Sequence, residues 1–177
     1  MNVKKLVTDA MLAAMCAVLG YVAIDLGNIK IAFDSFPVLL AAIALGPLDG
    51  LAVGTVGALI YQVLRYGISA TTVLWILPYS LCGLFVGLYL RKYGGEPDRK
   101  HIIIGVVIGE AIFFILNTLT LYIDSKIYGY YYPAFIVGSI GVRFLIFAGK
   151  AVAFSLIMPG VLRAVKKVLG EKKTDDG

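Results

Sequence analysis

The amino-acid sequence points to an all-α membrane protein, a six-transmembrane-helix bundle with both termini cytoplasmic. Of its 177 residues, 60% are hydrophobic and 15% charged, with a mean hydropathy of +0.90, far outside the range of a soluble globular domain. Breaks in hydrophobicity divide the chain into six apolar segments, and an even number returns it to its starting side. Loop charge sets that side. Lys4, Lys5, Arg91, Lys92, Arg99, Lys100, Arg163, Lys166, Lys167, Lys172 and Lys173 fall on one face of the bundle. Only Lys30, Arg65 and Lys126 fall on the other, which makes the first face cytoplasmic. The net charge of +5 follows from this bias and needs no nucleic acid to explain it. With the spans set aside, no stretch can bury a second core, so residues 1–177 read as a single integral-membrane domain.

The first helix is expected over residues 5–24. MNVKK turning apolar has the start of a secretory leader, but the run is long, lacks a small-residue cleavage site and carries Asp25 at its end, so it reads as a span. The second, 35–45, opens at Asp34-Ser35 before Pro37. Gly46-Pro47 stops it and starts the third, 47–66, within a tight turn, leaving the second short for a span. The fourth, fifth and sixth are expected over 71–92, 101–123 and 134–165. The outward connections are then Asp25 to Asp34, Arg65 to Thr71 and Asp124 to Pro133. Cys16 and Cys82 lie in apolar segments as small hydrophobes, without metal or redox spacing.

Two cations stand out. Arg143 and Lys150 lie inside FIVGSIGVRFLIFAGKAVAFSLIMPG, where an unpaired charge costs several kcal/mol and marks a functional position. Seven residues are close to two turns, so both occupy one face, about 10 Å apart along the axis. That face reads as the wall of a pocket for an anionic solute. The fifth helix runs antiparallel to it, with Glu110 at the depth of Lys150 and Asn117 at that of Arg143. A buried Glu110–Lys150 ion pair is the favoured reading, which leaves Arg143 without an acidic partner. A guanidinium suits a carboxylate, so a ligand is its natural counter-ion; the alternative is snorkelling to the outer headgroups.

At similar outer depth the third helix ends with Tyr61, Gln62, Arg65 and Tyr66, and the fourth begins near Trp75. Such a ring would hold a conjugated heterocycle by stacking while amides read its edges; Trp75 as an interfacial anchor is the alternative. The last outward connection holds Tyr128, Tyr130, Tyr131 and Tyr132, either an interfacial belt or an aromatic lid, with Tyr128 and Tyr131 the candidates to meet a ligand. Small residues recur as Ala10, Ala13, Ala14 and Ala17 in the first helix and as Gly50, Gly54 and Gly57 in the third, where they admit close helix approach, inside the bundle or to a partner. There is no Gly-x-x-x-x-Gly-Lys-Ser/Thr, the one histidine is His101 at the basic edge, and no carboxylate cluster suits a metal diphosphate. No cofactor is expected, and enzymatic chemistry has little to stand on. An intramembrane enzyme using Glu110, Asn117 and Arg143 on lipid or peptide substrates is the reading of a different class.

Ala-x-x-x-Ala in the first helix, FPVLLAAIALGPLDGLAVG across the second and third, and ILNTLTLYIDSKIYG followed by GVRFLIFAGKA resemble the substrate-binding S component of an energy-coupling factor (ECF) vitamin transporter, over nearly the whole chain. The Asn-Thr-Leu and Tyr-Gly followed by Arg-x(6)-Lys resembles the folate-type branch. The resemblance implies a small protein of the prokaryotic plasma membrane that captures a vitamin from outside. It would work with a transmembrane coupling subunit and two cytoplasmic ATPases, toppling in the bilayer to release its cargo inward. It also implies that Ala10, Ala13, Ala14 and Ala17 face the coupling subunit. Folate, with aromatic rings and two carboxylates, matches the cationic and aromatic set; pantothenate and pyridoxine are the alternatives.

Overall fold

Each of the six apolar runs folds as a helix in the structure, a computed structural model that describes residues 3–26, 29–93 and 98–169. For residues 25, 26, 29, 133–136, 168 and 169 it describes the backbone alone. Lys172 and Lys173 of the charge count, and the Asp25 side chain, lie outside the described residues. The helices are α1 (Val3–Tyr21), α2 (Ser35–Ala44), α3 (Pro47–Tyr66), α4 (Thr72–Arg91), α5 (Arg99–Ile127) and α6 (Pro133–Leu169). The connection between α1 and α2 holds two short strands that the sequence reading did not include. Ile24–Leu26 (β1) and Ile29–Ile31 (β2) form an antiparallel hairpin in which Asp25 stands opposite Lys30. Both triplets alternate apolar, charged, apolar, the period of a strand with one face inward.

Among the described residues, four helical stretches are long and apolar enough to cross a membrane: Pro47–Tyr66, Thr72–Arg91, Arg99–Ile127 and Val137–Lys167. The helix α1 is diluted by Lys4, Lys5 and Asp9 in its first turns. With ten residues, α2 is about 15 Å long, half the hydrocarbon thickness. Instead α2 forms the centre of the bundle. Val38, Leu39, Leu40, Ala41 and Ala42 are all at most 2% exposed, so it is apolar on every side because every side is covered. Gly46, at φ 117°, takes a conformation few other residues adopt and lets the chain re-enter as α3 with Pro47 in its first turn.

The glycine stripe of α3 is used inside the bundle. A Cβ on Gly54 would lie 2.5 Å from the carbonyl oxygen of Tyr79, and one on Gly57 would lie 2.7 Å from Cys16 Cβ. These seams bring α3 against α4 on one side and α1 on the other, maximising dispersion contact. They also divide the α1 alanines. Ala13 and Ala17 are 6% exposed, packed inside, whereas Ala10 and Ala14 face outward. The expectation that all four form one docking face is corrected accordingly: they share about 100° of the helix surface, but the edge of the packing against α3 runs through that arc and leaves Ala13 and Ala17 on its inner side.

Three helices are tied by one buried polar cluster. Glu110 on α5 accepts a hydrogen bond from Ser35 Oγ on α2 at 2.6 Å, and its other oxygen is 3.2 Å from Lys150 Nζ on α6. None of the three residues is more than 8% exposed. Removing one member leaves an uncompensated charge in a low-dielectric interior, which costs far more than the intact pair contributes. Glu110→Leu is therefore expected to lower stability by about 3–5 kcal/mol, and adding Lys150→Met to recover most of that, as read by thermal unfolding of the detergent-solubilised chain. In the same assay Gly54→Val is expected to cost at least about 1–3 kcal/mol through overpacking, while Gly160→Ala, with nothing within 4 Å of the added carbon, is neutral or stabilising.

Candidate functional site

The antiparallel register of α5 and α6 follows from two contacts, Glu110 with Lys150 at 3.2 Å and Phe114 with Phe147 at 5.7 Å between ring centres. In that register Asn117 stands opposite Arg143. Both line a cavity of about 450 Å³, a size suited to a small organic ligand. The strand β2 and the connection after it contribute Lys30, Ala32 and Asp34; α3 contributes Tyr61, Gln62 and Tyr66; α4 and the segment before it contribute Ser69, Thr71, Trp75 and Tyr79. Opposite them lie Phe113, Phe114, Asn117, Leu121 and Asp124 of α5, Tyr128 and Tyr130 beyond its end, and Arg143, Ile146, Phe147 and Lys150 of α6. Three connections contribute walls, so the cavity sits at the end of the bundle where they gather.

Its charges sort into pairs and a remainder. Lys30 Nζ lies 3.4 Å from Asp34 Oδ2 and 4.1 Å from the centre of the Tyr61 ring. The Tyr79 hydroxyl donates to the same carboxylate at 2.6 Å and lies 3.3 Å from the Tyr61 hydroxyl, which accepts from Gln62 Nε2 at 3.2 Å. Lys150 is matched by Glu110, with the rings of Phe113 and Phe154 beside it at 5.0 and 5.6 Å. Arg143 is different. Its Nη1 is buried with no hydrogen-bond partner, and among the described residues no carboxylate lies within ion-pair distance. A buried donor left unmade is costly, and a charged one more so.

Asp124, 7% exposed, accepts from Trp75 Nε1 at 3.1 Å and from the Tyr130 hydroxyl. Burial first, then the adjacent Asp124 carboxylate, hold the Tyr130 hydroxyl above the usual phenol range, so it stays a donor at neutral pH. Gly129 between Tyr128 and Tyr130 has φ 75°, the left-handed conformation that reverses the chain over the cavity mouth.

Of the residues expected from sequence, Arg143, Lys150, Asn117, Gln62, Tyr66, Trp75 and Tyr128 line this one cavity. Arg65 and Tyr131 do not. Arg65 Nη1 points to the end of α1 and donates to the carbonyl of Tyr21 at 2.6 Å, with those of Gly20 and Ala23 within 3.4 Å, a cation on a helix C-terminus. Tyr131 packs edge-on against Tyr122 at 5.4 Å, with Lys126 Nζ 3.7 Å above its ring. Its expected place belongs to Tyr130. Asp34, Tyr79, Phe114, Phe147 and Asp124 were not legible as a set from sequence. The sixth-helix pair Arg143 and Phe147, at i and i+4, and the fifth-helix pair Asn117 and Asp124, at i and i+7, share faces that helical spacing alone connects.

The family model described as "ECF transporter, substrate-specific component" matches residues 4–166. In fold the chain is similar to a solved structure described as "Structure and mechanism of the S component of a bacterial ECF transporter". The TM-score is 0.64 and the identity 22%, over 94% of this chain and 97% of that one. No curated protein sequence matches this chain. A cavity framed by the family's helices, with the sequence match running over nearly the full length, leads to one conclusion: the chain belongs to the substrate-specific components of ECF transporters, which are substrate-binding membrane proteins and not enzymes.

Proposed function

We propose that this protein captures a folate-type vitamin from outside a prokaryotic cell and delivers it inward through a transmembrane coupling subunit powered by two cytoplasmic ATPases. In this reading all six helices cross or enter the plasma membrane, both termini are cytoplasmic, and the cavity opens outward. The observation that carries it is the Arg143 guanidinium, with a buried Nη1 unmatched in a ligand-sized cavity. An anionic cargo supplies the missing partner, since a carboxylate meets a guanidinium with parallel hydrogen bonds.

The aromatic walls narrow the choice. Trp75, Phe114, Phe147 and Tyr128 give faces on which conjugated rings stack. Pantothenate has a carboxylate and no ring, so it leaves those faces without a role. Pyridoxine has a ring and no anionic group, so it leaves Arg143 unmatched. Folate has both.

The division of the α1 alanines supports a docking role for Ala10 and Ala14 alone. Both are exposed on one edge of α1, away from the cavity, where their small side chains admit a helix of the coupling subunit.

Binding and transport should therefore separate. Arg143→Ala is expected to weaken binding of folic acid to the solubilised chain by about 2–5 kcal/mol with unchanged helicity, as titration calorimetry and circular dichroism read it; unchanged affinity removes Arg143 from the site. Ala14→Trp is expected to retain folic acid binding and abolish uptake into liposomes holding the complete transporter. Impaired binding in that variant contradicts the assignment of faces.

A further inference from the structure

The cavity walls carry three cations, Lys30, Arg143 and Lys150, and three carboxylates, Asp34, Glu110 and Asp124. Two pairs form within ion-pair distance, Lys30 with Asp34 and Lys150 with Glu110. The remainder is one charge of each sign. Asp124 is as uncompensated as Arg143: it has neutral donors in Trp75 and Tyr130, and no basic side chain within ion-pair distance among the described residues. A carboxylate has about four acceptor positions and these donors occupy two. The others belong to a buried anion beside the cavity, where desolvation makes an unmet acceptor costly.

The two charges stand apart. Asn117 is level with Arg143, and Asp124 is seven residues further out on the same face of α5. Two helical turns correspond to about 10 Å along the axis. Arg143 and Asp124 therefore lie at different depths of one cavity, too far apart to neutralise each other and spaced for the two ends of an elongated molecule.

From this we infer that Asp124 is a second recognition point, which accepts hydrogen bonds from the donor-bearing edge of a nitrogen heterocycle while Arg143 holds an acid tail deeper in the cavity. The inference rests on the reading of Arg143 given under the proposed function, and adds the polarity and orientation of the cargo. The ligand class is an aminoheterocycle joined through a spacer to a carboxylic acid, entering acid end first, its two ends meeting wall positions separated by about 10 Å of axial rise. Trp75 and Tyr130 act as positioning residues, each holding one oxygen of Asp124 so that the free lone pairs face the cavity. A ring offering two adjacent N–H groups meets a carboxylate as a guanidinium does, in parallel hydrogen bonds.

The test uses folic acid and its analogue lacking the 2-amino group, titrated into the purified full chain and into Asp124→Asn. That substitution keeps an oxygen for the neutral donors. The wild type is expected to bind folic acid at least about tenfold more tightly than the desamino analogue, and Asp124→Asn to weaken folic acid by about tenfold or more and lose the preference. Arg143→Ala should weaken both compounds alike. Equal binding of the two by the wild type overturns the inference while leaving Arg143 in place, and decides the matter even if Asp124→Asn does not fold. Equal weakening of both by Asp124→Asn also overturns it, because Asp124 then only holds the Trp75 and Tyr130 side chains. Binding of neither compound by the wild type overturns the folate reading itself.

Discussion

An ionised group in a membrane interior must find a counter-charge, and among the described residues this bundle supplies one for each cation on the cavity wall except Arg143. Glu110 takes Lys150 and Asp34 takes Lys30, each reinforced by a hydroxyl donor, Ser35 in one case and Tyr79 in the other. These clusters are complete and structural. The guanidinium left over lines the cavity with its Nη1 buried and unmatched, a costly position for a cation. The charge balance thus leaves one cation over on the cavity wall, beside an otherwise closed polar network.

Keeping a cavity of this size open requires a rigid wall. The glycine seams of α3 against α1 and α4, with α2 buried at the centre, make one half of the bundle close-packed and unable to collapse into the cavity. The α6 helix is different: Phe144, Leu145, Val152, Leu156 and Ile157 are exposed and meet lipid, while Arg143, Ile146, Phe147 and Lys150 turn to the cavity. One helix thus has a lipid face and a ligand face, and the Glu110–Lys150 pair pins its rotation. The exposed Ala10 and Ala14 edge of α1 lies apart from the residues that line the cavity.

Much of this was legible in the residues. Asp34-Ser35 and Gly46-Pro47 punctuate α2 and α3 so clearly that the expected and observed bounds agree closely. Counting depth along antiparallel segments placed Glu110 with Lys150 and Asn117 with Arg143, because the rise per residue is the same in every helix. The failures have separate physical causes. Hydropathy marks where lipid ends, not where a helix ends, so Asp124, Ser125 and Lys126 read as loop although α5 continues to Ile127. That hid Asp124 as a helix-borne wall residue. Arg65 and Tyr131 failed through rotation: Arg65 is a single residue from Tyr66, yet about 100° around the helix it turns to the end of α1. The hairpin was missed although Ile24-Asp25-Leu26 and Ile29-Lys30-Ile31 alternate as strands do.

The most direct measurement is an experimental structure of the chain with its bound solute, at a resolution that orients side chains. The account predicts a carboxylate oxygen of the solute within hydrogen-bond distance of Arg143 Nη1, between the aromatic walls. A guanidinium turned to lipid headgroups, or bonded to an acidic side chain with the solute elsewhere, contradicts it.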